Sequence, residues 1–134
     1  MNINLITPIP VDNATSPTDH QDILIGDIDK IPANVCKSLI INQSLNYLTN
    51  EQLSVVISKM RHGGSIQITS LDAMEIARAL YWGEINIDQY SQLTSNSKAQ
   101  HSLIEIKNIF ENNGFIIELI NRDSIHFYMK VKRP

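Results

Sequence analysis

The sequence predicts an α/β domain: a mostly parallel sheet layered with helices and closed by a C-terminal antiparallel hairpin. Three observations lead there. From residue 22 onward, short apolar runs alternate with stretches whose apolar residues recur at helical spacing. One helix announces its start, because Thr49 is followed three residues later by Gln52, the pattern of a capping box. The chain then finishes in two strand-like runs joined by Asn121-Arg122-Asp123. With 134 residues, 43% of them hydrophobic, one core can form and two domains of ordinary size cannot, so residues 1–134 are read as a single domain.

Residues 3–6 are apolar enough for a short strand. A proline-rich loop follows across residues 7–21, where Pro8, Pro10 and Pro17 sit among small polar residues. Ile23-Leu24-Ile25 reads as a buried strand stopped by Gly26 and Asp27, and residues 35–41 as another, ending at Asn42. A turn or short helix is expected over residues 44–48. Beyond Thr49, the residues Leu53, Val56, Ile57 and Met60 fall on one helical face. Arg61 and His62 suit the negative end of that helix's dipole, and Gly63-Gly64 stops it. Residues 65–69 alternate as a strand. Asp72 with Glu75 marks a further helix start, with Ala73, Ile76, Ala77 and Leu80 as its stripe. Residues 85–92 read as a short helix. Residues 97–113 read as a longer one, with Leu103, Ile106, Ile109 and Phe110 on one side and Gly114 closing it. Strands over 115–120 and 124–131 complete the domain, and Lys132-Arg133-Pro134 is expected to be a solvated tail.

Composition removes several functions. A formal charge of −3 gives no basic footprint for nucleic acid. One cysteine, Cys36, excludes an internal disulfide and a cysteine-rich zinc site. The four histidines have no partners at a compelling metal spacing, so no metal is expected. His101 and Glu105, one helical turn apart, read as a surface contact. No apolar run approaches the roughly 18 residues of a membrane span. Met1-Asn2-Ile3-Asn4-Leu5 lacks a basic n-region, so the expected location is the cytoplasm.

A parallel sheet binds ligands beyond the carboxyl ends of its strands. Here those ends fall near Thr7, Gly26-Asp27, Asn42-Gln43 and residues 70–72. Around them, the order of motifs resembles class I S-adenosylmethionine-dependent methyltransferases. The run Gly26-Asp27-Ile28-Asp29-Lys30-Ile31-Pro32 resembles the family's acidic residue followed by a Leu-Pro or Ile-Pro pair. Ser38 to Leu48 resembles its strand running into a leucine-rich segment. Met60-Arg61-His62-Gly63-Gly64 resembles its Leu-Lys-Pro-Gly-Gly turn, and Asp72 the aspartate closing the next strand. Asn113-Gly114-Phe115 resembles the step into its last strand pair. The likeness runs from Asp22 to the C-terminus and implies a Rossmann-like fold, reduced on its N-terminal side.

The resemblance implies S-adenosylmethionine as cofactor and assigns it four residues. Asp27 corresponds to the acidic residue that meets the adenine amino group, and Ile28 would pack on the adenine ring. Asn42 and Gln43 stand where the family places cofactor or substrate contacts, with Tyr47 close enough to stack. Each also has an ordinary structural alternative: a turn aspartate, a core isoleucine, polar residues closing a strand. The departure from the family lies earlier. Its glycine-rich loop, which lets the backbone approach the cofactor, corresponds here to Thr7-Pro8-Ile9-Pro10, and no glycine precedes Gly26. Proline fixes φ and lacks an N–H. The expectation is therefore a methyltransferase-like protein degenerate in cofactor binding. It would act as a non-catalytic or partner-dependent module, with a homodimer or another protein covering exposed surface. The alternative is an active methyltransferase on a small molecule or sugar-type substrate. No residue is assigned a catalytic role. Cys36 reads as a buried thiol, and Tyr81-Trp82 as a core pair, a pocket wall or an interface anchor.

Overall fold

A computed structural model of the chain describes residues 1–6, 19–95 and 97–134. Most of the proline-rich loop expected at 7–21 therefore lies outside the described residues. Of its end, Asp19 and His20 form a turn and Gln21 already begins a strand. The strands are β1 (Asn2–Ile6), β2 (Gln21–Leu24), β3 (Cys36–Asn42), β4 (Met60–Leu71), β5 (Ile116–Asp123) and β6 (His126–Lys132). The helices are α1 (Asn50–Lys59), α2 (Ala73–Tyr81), α3 (Ile87–Thr94) and α4 (Leu103–Asn112).

The six strands form one sheet in the order β2-β1-β3-β4-β6-β5. β1 pairs in parallel with both β2 and β3, and β3 with β4. β6 inserts antiparallel between β4 and β5, so the expected mixed sheet with a C-terminal antiparallel pair is present. Strand order reverses at β1, whose chain continues to β2 on one side before β3 is laid on the other. That is the switch point where an open α/β sheet has room for a ligand.

Alternation along the strands decides the layers. Leu39 and Ile41, Ile66 and Ile68, and Phe127, Met129 and Val131 point to one face and are buried. α1 adds Leu53, Val56 and Ile57 to the same core, and α4 adds Leu103, Ile106 and Phe110. Ser38, Ile40, Gln67, Thr69, Tyr128 and Lys130 face the other way and remain partly accessible. α2 and α3 touch each other; α2 buries Ile76 and Ala79, and α3 buries no residue.

The start of α1 is as the sequence announces. Thr49 accepts from the Gln52 backbone N–H at 3.3 Å, and Gln52 Oε1 accepts from the Thr49 N–H at 3.0 Å. Its end is a correction. The helix stops at Lys59, Met60 is extended, and residues 60–64 belong to β4 rather than to the last helical turn. The physical reason is pairing: Met60 is set against Cys36. Gly63 N–H also donates to Arg133 O at 2.6 Å and Arg133 N–H to Gly64 O at 2.9 Å. Gly64 sits where a Cβ would lie 2.7 Å from the Cys36 carbonyl oxygen and 2.9 Å from that of Arg61. The glycine pair thus serves a strand irregularity, not a helix end. Arg133 is correspondingly no solvated tail, since its guanidinium also donates to Asn34 Oδ1 at 2.7 Å and to the Met60 carbonyl.

The structure departs from the expected pattern at five further places. Ile25 leaves the expected strand and opens a 3₁₀ turn, Ile25–Lys30, because Ile25 and Ile28, three apart, then bury on one side. The helix expected from residue 97 begins only at Leu103, capped by Ser102. The preceding residues are held by Asn46, whose carbonyl accepts from Lys98 and Ala99 at 2.9 and 3.1 Å. Asn121, Arg122 and Asp123 lie within β5, and the hairpin turns at Ser124, which takes a φ of 57°. Tyr81 and Trp82 are 82% and 69% exposed, stacked edge-to-face on each other at 5.3 Å, so they are not core. In α2 the stripe turns so that Ala79 is buried, while Ala77 is exposed.

Candidate functional site

The carboxyl ends of the parallel strands gather the chemistry. β3 ends at Asn42, paired in register with Thr69 of β4. Gln43 then takes a left-handed φ of 59°, and its N–H donates to Thr69 O at 2.8 Å. That carries the strand pairing one residue further and turns the chain out of the sheet. The β5–β6 turn lies at the same end, because Leu71 pairs with His126 and the Asp72 N–H donates to Ile125 O at 2.7 Å. A cavity of about 380 Å³ opens between them, bordered by Gln43, Thr69, Arg122, Asp123, His126 and Tyr128 among others. One guanidinium, one carboxylate, an imidazole, a phenol, an amide and a hydroxyl give it donors and acceptors of both signs. A small polar molecule fits such a wall.

The sequence-predicted cofactor residues divide between two corners. Gln43, half-buried, borders the cavity, and the exposed Asn42 precedes it in the chain without being part of that wall. Asp27 and Ile28 lie in the 3₁₀ turn after β2, on the other side of β1. Two strand spacings separate β2 from β3, roughly 10 Å. Asp27 is half-exposed and pairs with Lys30 Nζ at 3.1 Å. Exposed pairs of this kind contribute only about 0–1 kcal/mol, so the carboxylate stays available. Ile28 is buried with the core cluster, and Tyr47 packs against that cluster.

Between the two corners stands the end of β1. The Ser44 hydroxyl, buried, donates across it to the Leu5 carbonyl at 3.1 Å. Gly26 takes no left-handed φ, and a Cβ there would meet nothing within 4 Å. Of the four residues that the resemblance assigns to S-adenosylmethionine, a carboxylate and two amides thus keep some exposure, and Ile28 is buried. Among them no group of three or more His, Cys, Asp or Glu side chains could hold a metal ion.

Two arrangements escaped the sequence. Asp19 Oδ1, His20 Nδ1 and, beyond the ring, His20 Nε2 and Ser38 Oγ line up at 2.8 and 3.0 Å. The imidazole holds the Asp19 carboxyl below its ordinary value, chiefly through that hydrogen bond. Neither described cavity borders Ser38, so this chain of bonds ties the residues before β2 to β3. Asp19 and His20 adjoin in sequence, but nothing in the sequence pairs them with Ser38. His101 is the second. Expected on a helix surface, it precedes α4 and is buried, with Nε2 2.6 Å from the Leu48 carbonyl. Cys36 is fully buried as read, and burial raises its thiol pKa.

This sheet order and the helices laid on it define a class I methyltransferase-like fold. No family model and no curated protein matches the chain. Solved structures do. An S-adenosylmethionine-dependent methyltransferase from Mesorhizobium loti superposes with a TM-score of 0.60 at 13% identity, over 89% of this chain and 72% of that one. A chain of the complex between the Haloferax volcanii Trm112 methyltransferase activator and the putative methyltransferase gives 0.60 at 12%, over 90% and 64%. Geranyl diphosphate C-methyltransferase from Streptomyces coelicolor A3(2), solved with Mg²⁺, geranyl diphosphate and S-adenosyl-L-homocysteine, gives 0.60 at 13%, over 86% and 55%. The chain thus spans less than two thirds of the second and third of these proteins. At such identities the likeness is one of fold. Among the described residues no helix is long and apolar enough to cross a membrane.

Proposed function

We propose that the chain is a degenerate methyltransferase-like module, placed in the cytoplasm, that acts through a partner chain and does not transfer methyl groups by itself. The observation carrying this reading is the end of β1. Where the family's backbone approaches its cofactor, this chain has Thr7-Pro8-Ile9-Pro10 and no glycine before Gly26. The neighbouring Leu5 carbonyl is already engaged by Ser44. Asp27, Ile28, Asn42 and Gln43 are the remnant of the cofactor site in this reading.

The partner surface is the α2–α3 arm. Met74, Tyr81, Trp82 and Ile87 are each more than 60% exposed, and α3 buries no residue. Large apolar side chains exposed together on two consecutive helices are the kind of surface that marks an interaction site. A second copy of the chain is the first partner to test, by sedimentation over a concentration range.

Thermal unfolding with and without S-adenosylmethionine and S-adenosylhomocysteine tests the cofactor half of the reading. No shift at millimolar ligand is expected. A ligand at a hundred times its Kd adds about 2.7 kcal/mol, which is several degrees for a domain of this size. A shift of that size, lost in Asp27→Ala, would overturn the reading. It would favour the alternative, an active enzyme using the cavity beside Gln43 for a small or sugar-type substrate.

A further inference from the structure

A second cavity, of about 400 Å³, lies at the start of α1 and shares no lining residue with the first. Its wall includes Glu51 of α1, Gln100 and His101 of the segment before α4, and Glu105 of α4. That segment is firmly placed. Asn46 holds it through Lys98 and Ala99, and the His101 carbonyl accepts from Ala73 N–H at 2.9 Å. The His101 side chain is only 2% exposed.

The hydrogen bonding of this ring is incomplete. Nε2 lies 2.6 Å from the Leu48 carbonyl oxygen. A carbonyl can only accept, so Nε2 carries the proton. In the neutral ring Nδ1 is then an acceptor. It has no hydrogen-bond partner, although it is buried. It faces Glu105 Oε1 at 3.6 Å, which is a second acceptor. While the ring is neutral both atoms are acceptors, and a donor shared from beside the pair would satisfy the buried nitrogen, whose unsatisfied state is costly.

We propose that this cavity binds a small organic cation carrying N–H donors, in its simplest form a primary ammonium group, held by His101 Nδ1 and the Glu105 carboxylate. Charge agrees. Glu51 on the α1 side and Glu105 on the α4 side contribute two formal negative charges. The N-termini of those two helices oppose them with about half a charge each. The nearest lysine on α4, Lys107, is drawn to Glu111 at 3.8 Å and does not border the cavity. An ammonium offers three donors, enough for the ring nitrogen and both carboxylates.

The test uses the whole chain and n-butylammonium as probe, with n-butanol as its neutral counterpart. Long-range ¹H–¹⁵N correlation spectra report both nitrogens of the His101 ring. Before the probe is added, the hydrogen-bond geometry expects Nε2 to carry the proton and Nδ1 to be bare. Butylammonium should shift Nδ1 saturably, and butanol should not. Glu105→Gln is expected to weaken the probe about tenfold. Glu51→Gln, at an exposed position that leaves α4 untouched, should weaken it in the same direction. A ring doubly protonated before any probe is added would overturn the proposal, because Glu105 is then simply its ion-pair partner. So would an equal response to butanol, or no saturable response up to tens of millimolar. None of these outcomes depends on whether S-adenosylmethionine binds.

Discussion

Replacing Gly64 by alanine discriminates between two roles for the Gly63-Gly64 pair. As a helix stop, the pair would need its left-handed residue most, and that is Gly63, with φ at 80°. In the folded chain Gly64 is the crowded one. An added Cβ would stand 2.7 Å from Cys36 O, 2.9 Å from Arg61 O and 3.0 Å from Met60 Cε. The methionine methyl can swing away. The two carbonyls are backbone; Cys36 is held in the β3–β4 pairing, and Gly64 itself by the Arg133 N–H bond to its carbonyl. Overpacking against parts that cannot give costs about 3 kcal/mol, the upper end of the usual range. For a domain of this length that lowers Tm by about 10 °C. At Gly63 a Cβ would meet nothing within 4 Å. Only the left-handed backbone is penalised there, at about 1–2 kcal/mol, or about 5 °C. Calorimetry of both variants decides the matter. Hydrogen exchange at the Arg133 amide should accelerate more in Gly64→Ala. A Gly64→Ala protein as stable as Gly63→Ala, or more so, would refute the close-approach reasoning.

Three further outcomes are expected. Burial holds the Cys36 thiol above its ordinary value of 9.0, so above that pH the unfolded chain releases this proton while the folded chain retains it. Stability is thus undiminished by this group below pH 9.0 and falls as pH rises toward the folded value; the slope should disappear in Cys36→Ala, and a disulfide reagent should leave native Cys36 unreacted at neutral pH. Trp82, the one tryptophan, is 69% exposed, so dilute protein should emit at the long wavelength of solvated indole and be quenched by acrylamide, with a blue shift on self-association. Thr49→Ala removes the α1 cap and should cost about 1 kcal/mol. The double variant with Gln52→Ala should lose less than the two single losses combined, because the cap bonds are reciprocal.

What was legible in the sequence is what local physics specifies. The capping box at Thr49, the Asp72 start of α2, the Gly114 turn with its φ of 80° and the alternation of buried residues in β4 are each written in a few adjacent side chains. Motif order pointed to the fold because each motif marks a local event: a strand end, a helix end or a turn. The carboxyl ends of the strands were also locatable, since they follow from where the apolar runs stop. Of the residues named there, Gln43 borders the cavity beside the β5–β6 turn, and Asn42 is not part of that wall.

The tertiary structure decided whatever depends on a distant partner. Residues 60–64 have a helix-ending composition, yet they are strand because Cys36 and Arg133 bond them from elsewhere in the chain. His101 and Glu105 have the spacing of a surface pair. The ring is buried because Leu48, far from it in sequence, supplies the acceptor that holds it. Tyr81 and Trp82 have the composition of core, but the arm they close leaves them in water. Periodicity records which face of an element is apolar. It carries no record of what, if anything, is laid against that face, and in this protein the buried histidine and the exposed aromatic pair both follow from that.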